Sequence, residues 1–219
     1  MTNQSFVIND SSLIADPLTG AVATENQTFA LPVISHPTHV EEWRDVYVGT
    51  NLAEKILVQS PNPGVKSNVF LRTATVHAEG GDDFVVGSDF TDVLYGDHGQ
   101  DRLLGGNGDD VIDGGNGNDV LTGGQGADIF WLSEGFDVVT DFTYANGPNH
   151  GGDLISLHRL GDSIKAYIID IGDDVLITGD GFSMKFENAG ARQVHDSIMN
   201  QEGLDLVAVN YSMESSIFG

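Results

Sequence analysis

Aspartate recurs at every ninth residue between positions 78 and 140, and these carboxylates are the most regular source of chemistry in the sequence. They stand sixth in seven consecutive nonapeptide units: AEGGDDFVV, GSDFTDVLY, GDHGQDRLL, GGNGDDVID, GGNGNDVLT, GGQGADIFW and LSEGFDVVT. The aspartates are Asp83, Asp92, Asp101, Asp110, Asp119, Asp128 and Asp137. The eighth place always holds a large apolar residue, namely Val85, Leu94, Leu103, Ile112, Leu121, Phe130 or Val139. A fixed period this short predicts a solenoid.

Each unit divides into a turn and a short strand. Glycine tolerates the positive φ angles of a tight turn, so the GGxGxD segment can curl and direct its carbonyl groups inward. The apolar residues that follow favour a strand. Because strand side chains alternate, the sixth and eighth places point the same way. The aspartates are therefore expected to face inward beside the apolar row.

Stacked aspartates need a cation between them. Two units make one coil, and neighbouring coils of a sheet lie about 4.8 Å apart, so odd and even units stack along opposite edges. Carboxylates at that spacing repel each other. Arg102 is the only Lys or Arg within 78–140, against 14 Asp or Glu. Calcium meets the demand, because it takes roughly six to eight oxygens from carboxylates and backbone carbonyls.

The expected ion sites lie between successive coils. The pairs predicted to clamp an ion, about five ions in all, are Asp83 with Asp101, Asp92 with Asp110, Asp101 with Asp119, Asp110 with Asp128, and Asp119 with Asp137. The turn residues expected to contribute oxygens are Gly81, Gly87, Gly96, Gly99, Gly105, Gly106, Asn107, Gly108, Gly114, Gly115, Asn116, Gly117, Gly123, Gly124, Gln125 and Gly126.

The units GGNGDDVID and GGNGNDVLT resemble the repeats-in-toxin (RTX) nonapeptide, with its G-G-x-G-x-D pattern. The resemblance implies a parallel β-roll with calcium between successive turns, as in the C-terminal domains of serralysin-like metalloproteases and the R-modules of alginate epimerases. It also implies secretion from a Gram-negative bacterium by a type I exporter. Asp141 and Asp153 are similar to the acids that close the roll in serralysin-like proteins. They are either further ligands or, for Asp141, a turn cap.

The composition limits the functional classes. A formal net charge of -24 disfavours nucleic acid and anionic membranes as partners. The sequence has no cysteine, so neither a disulfide framework nor a thiolate metal site is available. The N-terminus lacks the basic start and apolar core of a Sec signal peptide, and no apolar run reaches the length of a membrane helix.

We expect an all-β fold: a right-handed parallel β-roll over 78–140, with β segments capping both ends. Residues 1–77 form the N-terminal cap, with one helical turn at 38–41 and a degenerate coil at 46–58, where Glu54 takes the aspartate place. Residues 141–219 form the C-terminal cap, with two hairpins within 163–187 and a short helix from Ala189 that ends at Gly203. A strand DLVAVNY follows, and Glu214–Phe218 is similar to a type I secretion signal.

The chain is not expected to be an enzyme. It has no HExxH helix, nucleophile elbow or phosphate loop, and Pro37 argues against a helical metal site at His36, His39 and Glu41. The predicted function is an extracellular calcium-binding protein that folds on calcium after type I secretion.

The alternative is a carbohydrate-binding or partner-binding module of a larger secreted enzyme or adhesin. The outward places of the units carry two apolar faces. One holds Phe84, Val86, Leu104 and Val120, and the other holds Val93, Tyr95, Val111, Ile129 and Trp131. We expect flanking segments or a partner to cover at least one of them, with a saccharide face at Tyr95 and Trp131 as the sharper hypothesis.

Overall fold

The computed structural model describes residues 33–34, 39–40, 44–58, 73–144, 151–157, 166–199 and 208–210. All described residues belong to one compact unit within 32–219. Glu41 and His36 lie outside the described residues, as does the segment Glu214–Phe218. The fold of the described residues is mostly strand, arranged in two largely parallel sheets with one short helix.

Eleven strands of the described chain form the first sheet. They are β1 (Val33–Ile34), β4 (Lys55–Leu57), β6 (Phe84–Val86), β8 (Arg102–Asn107), β10 (Asn116–Gly117), β11 (Val120–Gln125), β13 (Glu134–Val139), β15 (Tyr167–Asp170), β16 (Val175–Thr178), β17 (Phe182–Phe186) and β18 (Ala208–Asn210). Their order is β1-β4-β6-β8-β11-β13-β17-β16-β15-β18, with β10 beside β13.

Seven strands of the described chain form the second sheet. They are β2 (His39–Val40), β3 (Arg44–Thr50), β5 (Thr73–Glu79), β7 (Val93–Tyr95), β9 (Val111–Asp113), β12 (Ile129–Trp131) and β14 (Leu154–Ser156). Their order is β14-β12-β9-β7-β5-β3-β2. Consecutive nonapeptide units therefore alternate between the two sheets.

The register of the parallel pairs reproduces the predicted coil of two units. Arg102 pairs with Val120 in the first sheet, and Val93 pairs with Val111 in the second, so each strand lies beside its equivalent two units later. The seven eighth-place residues, from Val85 to Val139, have no exposed surface. The core between the sheets is thus the apolar row that the sequence repeats, as places six and eight facing the same way require.

The two sheets continue beyond the seven units at the N-terminal side. Strand β4 pairs with β6 so that Ile56 stands beside Val85, and Ile56 is fully buried. Strand β3 likewise pairs with β5 in the second sheet. Both pairs are further apart in sequence than one regular coil, for example Lys55 with Phe84, because 59–72, which lie outside the described residues, intervene.

At the C-terminal side the first sheet changes from parallel to antiparallel. Strand β17 runs parallel to β13, and β16 then pairs antiparallel with both β17 and β15, which are the two hairpins predicted within 163–187. Strand β14 extends the second sheet parallel to β12 and pairs Ile129 with Leu154, again further apart in sequence than one regular coil.

Two local predictions were wrong. Helix α1 spans Ala191–Ser197 and does not continue to Gly203. It ends early because Ile198 forms a parallel bridge to Ile155, and the Met199 N–H donates to the Ile155 carbonyl. The helical turn expected at 38–41 is also wrong at His39–Val40, which form a strand antiparallel to β3. Helix α1 is too short to cross a bilayer, and the described chain has no longer helix.

Candidate metal sites

The sixth-place aspartates form two ladders, one at each edge where the chain passes between the sheets. We call the residues at this place the rungs. In five rungs the backbone N–H donates to the Oδ1 atom of the equivalent rung one coil later. The N–O distances are 2.8 Å from Asp83 to Asp101, 2.8 Å from Asp92 to Asp110, 2.8 Å from Asp101 to Asp119, 2.9 Å from Asp110 to Asp128 and 3.1 Å from Asp119 to Asp137. The structure therefore brings together every pair that the sequence suggested.

The second carboxylate oxygen separates the rungs into two groups. In five of them Oδ2 is buried and has no hydrogen-bond partner among the described residues: Asp83, Asp101, Asp110, Asp119 and Asp128. A buried polar atom without a partner is costly and rare in folded proteins. These five oxygens are the candidate ligand atoms of the ladders.

The first-place glycines form a cradle around the unpartnered oxygens. A Cβ atom added to Gly105 would collide with Asp110 Oδ2 and with the carbonyl oxygen of Gly123 in the next coil. A Cβ atom at Gly96 would collide in the same way with Asp101 Oδ2 and the Gly114 carbonyl oxygen. Glycine is thus required because carboxylate and carbonyl oxygens from two coils converge there.

The donor set suits a hard cation. No group of three His, Cys, Asp or Glu side chains among the described residues could hold a metal ion. An ion at a rung therefore needs backbone carbonyls beside the carboxylate, which is the mixed oxygen set that calcium accepts. The residues present fit calcium.

At other rungs the second oxygen is already paired. Asp92 Oδ2 accepts from the Ser88 N–H at 2.6 Å, and Asp137 Oδ2 accepts from the Ser133 hydroxyl at 2.8 Å. In both units serine stands at the second place, where the three central units have glycine. These two rungs therefore have less need of an ion than the other five.

The two acids after the seventh unit have different positions. Asp153 takes the next rung after Asp128, because its Oδ1 accepts from the Asp128 N–H at 3.0 Å. Its Oδ2 accepts from the Thr143 N–H at 2.7 Å, so both oxygens are paired. Asp141 lies off the ladder, and its oxygens accept from the N–H groups of Gly123 and Gly124 at 2.9 and 2.8 Å.

Burial raises the pKa of the rung carboxyls. The pKa is raised to about 8 in Asp101 and Asp110, because burial disfavours the charged form and neighbouring carboxylates add to the effect. Burial likewise raises the pKa to about 7 in Asp83 and Asp137 and to about 6 in Asp119 and Asp128. The pKa of Asp92 and of Asp153 is also raised, mainly by burial. A divalent cation beside these groups would favour their charged form.

Sequence reasoning missed a second ladder, at the fifth place. The Oδ1 atoms of Asp82, Asp109 and Asn118 accept from the backbone N–H of the equivalent residue one coil later, each at 2.9 Å. These side chains are exposed and need no ion. The signal was available, since Asp or Asn occupies the fifth place in three of the seven units.

The rung of the N-terminal extension is Glu54. Its backbone N–H donates to Asp83 Oδ1 at 2.6 Å, so it stands one coil before Asp83. Its own carboxylate accepts from the N–H and the hydroxyl of Thr50, both at 2.8 Å. On the opposite edge the corresponding place holds Ala74, whose N–H donates to Asp92 Oδ1 at 2.9 Å. The ladder of carboxylates is interrupted at Ala74.

The remaining sequence candidates are only partly covered by the described residues. The side chain of His39 is not described, and its proposed partners His36 and Glu41 lie outside the described residues. Tyr95 and Trp131 are half-buried on the outward side of the second sheet. The Tyr95 ring stacks on the His77 ring with their centroids 4.7 Å apart. It contacts the Trp131 ring edge to face, with the centroids 6.2 Å apart.

Comparison with known proteins identifies the repeat family. The profile of the RTX calcium-binding nonapeptide repeat family matches residues 77–112 and 104–139. No curated protein matches the chain. Among solved structures, the AlgE6R3 subunit of the Azotobacter vinelandii mannuronan C5-epimerase is similar at 23% identity and a TM-score of 0.43, over 73% of this chain and 96% of that one. The AlgE6R2 subunit is similar at 26% identity and a TM-score of 0.36, over 52% and 90%. Residues 77–139 thus carry RTX calcium-binding nonapeptide repeats.

Proposed function

We propose that the chain is a calcium-dependent, right-handed parallel β-roll over 78–140, with residues 1–77 and 141–219 as its caps. The observation that carries the proposal is the set of five buried Oδ2 atoms without partners among the described residues, in a stretch that carries calcium-binding repeats. Calcium would be held by a rung carboxylate and by carbonyl oxygens of the turns in two successive coils.

The unpartnered oxygens refine the proposed ion positions. They favour ions between the rung pairs Asp83–Asp101, Asp101–Asp119, Asp110–Asp128, Asp119–Asp137 and Asp128–Asp153. Asp92–Asp110 is disfavoured because the Ser88 N–H already occupies Asp92 Oδ2. Asp141 acts as a turn cap in this proposal, since two backbone N–H groups occupy its oxygens. The number remains about five ions.

The function of the ions is linkage between calcium and folding. Buried carboxylates destabilise the ion-free fold, whereas an ion that binds only the folded state stabilises it. With sites of about 0.1 to 1 mM, as is typical of extracellular modules, the chain would be unfolded at cytosolic calcium levels and folded outside the cell. We therefore propose secretion by a type I exporter of a Gram-negative bacterium, followed by folding on calcium.

A calcium titration tests the proposal. Far-ultraviolet circular dichroism should gain β-signal on addition of millimolar calcium, EDTA should reverse the gain, and magnesium at the same concentration should give a smaller change, because it demands stricter geometry. Equilibrium dialysis should count about five bound calcium ions. An unchanged spectrum in EDTA together with no bound calcium would contradict the proposal.

A second candidate function is a saccharide-binding module, and one observation favours it. Across β5, β7, β9 and β12, register aligns the rings of His77, Tyr95 and Trp131 in one outward row, with the buried Asp113 between the last two. A row of three half-buried rings that carry polar atoms is the type of surface on which sugar rings pack. A glycan array of the calcium-loaded protein should then give signals that Trp131→Ala abolishes. Phe136→Ala, at an exposed ring elsewhere, should retain them.

A further inference from the structure

The outward side of the first sheet carries a row of residues with two positive charges, although the chain as a whole is strongly acidic. Register aligns Lys55 of β4, Phe84 of β6 and Arg102 of β8 in this row. The row continues through Val120 and Val138. All of these side chains are half-buried. Two cations thus stand side by side, with one aromatic ring between them, in a chain that has only nine Lys and Arg.

These two cations form no ion pair with the acids that the structure describes. The Lys55 Nζ atom lies 5.2 Å from the centre of the Phe84 ring, and the Arg102 Cζ atom lies 5.9 Å from it. Arg102 Nε is buried and has no hydrogen-bond acceptor among the described residues. Cation–π contact with one ring compensates only part of the cost of burying charge. Neither side chain is therefore paired with a carboxylate of the described residues.

The other described Lys and Arg side chains provide the contrast. The Lys185 Nζ atom lies 2.8 Å from Glu187 Oε1 and 3.4 Å from Asp174 Oδ2. The Arg192 Nε atom lies 3.8 Å from Asp196 Oδ2. The sequence has 33 acids for its nine bases, so a carboxylate partner is easily found. Lys55 and Arg102 are the described bases that lack one, and they are neighbours in the same row.

The surroundings of the cations narrow the class of anion. The next outward row holds Leu57, Val86 and Leu104, which are half-buried aliphatic side chains aligned by the same register. A carboxylate attached to an apolar body fits a cationic row beside an aliphatic row. A sugar chain would prefer aromatic and hydrogen-bonding side chains to aliphatic ones.

The spacing of the cations matches a helix. Lys55 and Arg102 stand two strands apart, which is about 10 Å. Residues seven positions apart on one face of an α-helix are also about 10 Å apart. Apolar residues three and four positions after the first acid would then lie between the two carboxylates, over Phe84 and the aliphatic row.

From this geometry we propose that Lys55, Phe84 and Arg102, with Leu57, Val86 and Leu104, form a docking surface for an acidic amphipathic helix of a partner protein. Its carboxylates, seven positions apart, pair with Lys55 and Arg102, and its apolar residues pack on Phe84 and the aliphatic row. This surface lies on the sheet, whereas the proposed calcium sites lie in the turns. The docking proposal and the calcium proposal can therefore be tested separately.

Fluorescence anisotropy of a labelled helical peptide tests the proposal. The probe is an ~18-residue peptide built from the heptad Glu-Ala-Gln-Leu-Leu-Ala-Gln, which places Glu at every seventh position and Leu between them. The full chain in millimolar calcium should bind it. A peptide with Gln in place of Glu should bind at least about tenfold more weakly, because charge-assisted pairs are lost, and a peptide with Lys in place of Glu should not bind.

Variants locate the binding surface. Arg102→Gln should weaken binding of the Glu peptide about tenfold or more, whereas Arg192→Gln, which removes one exposed charge elsewhere, should change it less than about twofold. Calcium-induced circular dichroism checks that each variant folds. If Arg102→Gln does not fold, the same binding measurement is made with Lys55→Gln.

Three results would overturn the proposal. These are no binding of the Glu peptide, equal binding by the wild-type chain and the folded Arg102→Gln or Lys55→Gln variant, or binding of an oligouronate in place of the peptide. The last result would assign the same cations to an acidic saccharide. Calcium titration in parallel shows whether the proposed calcium function survives independently.

Discussion

At the scale of single residues, the partner of the second carboxylate oxygen distinguishes otherwise identical aspartates. Asp110 Oδ1 accepts the Asp92 N–H, and its Oδ2 has no partner among the described residues. In Asp110→Asn, the amide would replace a buried carboxyl whose ionisation opposes folding and would place an N–H donor near the Gly123 carbonyl. We expect the ion-free fold to gain about 1 kcal/mol or more, while the chain binds about one calcium ion fewer. Circular dichroism in EDTA with increasing concentrations of a stabilising osmolyte, which favours the compact state, measures the first effect, and equilibrium dialysis measures the second.

The neighbouring residue supplies a matched control for that substitution. Asp109 is exposed, and its Oδ1 accepts the Ala127 N–H, a role that asparagine can fill. Asp109→Asn removes the same charge one position away and should leave the number of bound ions unchanged. If Asp110→Asn and Asp109→Asn behave alike in both assays, the unpartnered oxygen has no special role.

At the scale of elements, each turn needs space as well as a particular backbone conformation, and Gly105 shows this. Gly105 lacks a positive φ, yet an added Cβ atom would collide with Asp110 Oδ2 and the Gly123 carbonyl. We expect Gly105→Ala to destabilise the calcium-loaded protein by about 1–3 kcal/mol through overpacking. Chemical denaturation at saturating calcium measures it.

Gly190 is the control for the turn. At Gly190 the nearest atom to an added Cβ is Gln193 Oε1, at 3.3 Å, on a flexible side chain, and φ is -94°. Gly190 is the N-cap of α1, where alanine is less favourable than glycine, so Gly190→Ala should destabilise the protein by no more than about 1 kcal/mol. Equal losses for the two alanine variants would show that the crowding at Gly105 is relieved without cost.

The sequence predicted the elements wherever the period of nine was unbroken. Places six and eight identified the rungs and the buried row from Val85 to Val139, because their spacing fixes both register and facing direction. The hairpins within 163–187 were also predictable, because apolar runs there flank glycine turns.

The sequence was less informative where insertions interrupt the period. The irregular spacings from Glu54 to Asp83 and from Asp128 to Asp153 break the period, so Glu54 was suggested only by its local pattern and Asp153 only by family resemblance. The end of α1 was misjudged because the backbone after Ser197 pairs with β14, a long-range contact that local helix signals do not contain. Serine occupies the second place in the two units whose rung has a paired Oδ2 atom, but the sequence does not show that the serine donates to that atom.

At the scale of the whole molecule, the raised pKa values predict how the ion-free fold depends on pH. The rung carboxyls have pKa values of about 6 to 8 in the fold, against an ordinary value of 3.8. The folded state therefore binds more protons than the unfolded chain above about pH 4. Their contribution to stability is fully present below about pH 4 and is lost as the pH rises through 6 to 8.

In EDTA, we therefore expect the folded fraction, followed by circular dichroism, to increase as the pH is lowered from about 8.5 to about 5.5. At a fixed subsaturating calcium concentration the same change should weaken ion binding, because protons and calcium compete for the same carboxylates. Plotted against pH, folding in EDTA and calcium affinity should thus have slopes of opposite sign. Ion-free Asp101→Asn should show a shallower slope, since one group with a pKa of about 8 is absent. A wild-type slope in EDTA that is flat, or that falls with acid, would mean that the buried carboxylates are not what opposes folding without calcium.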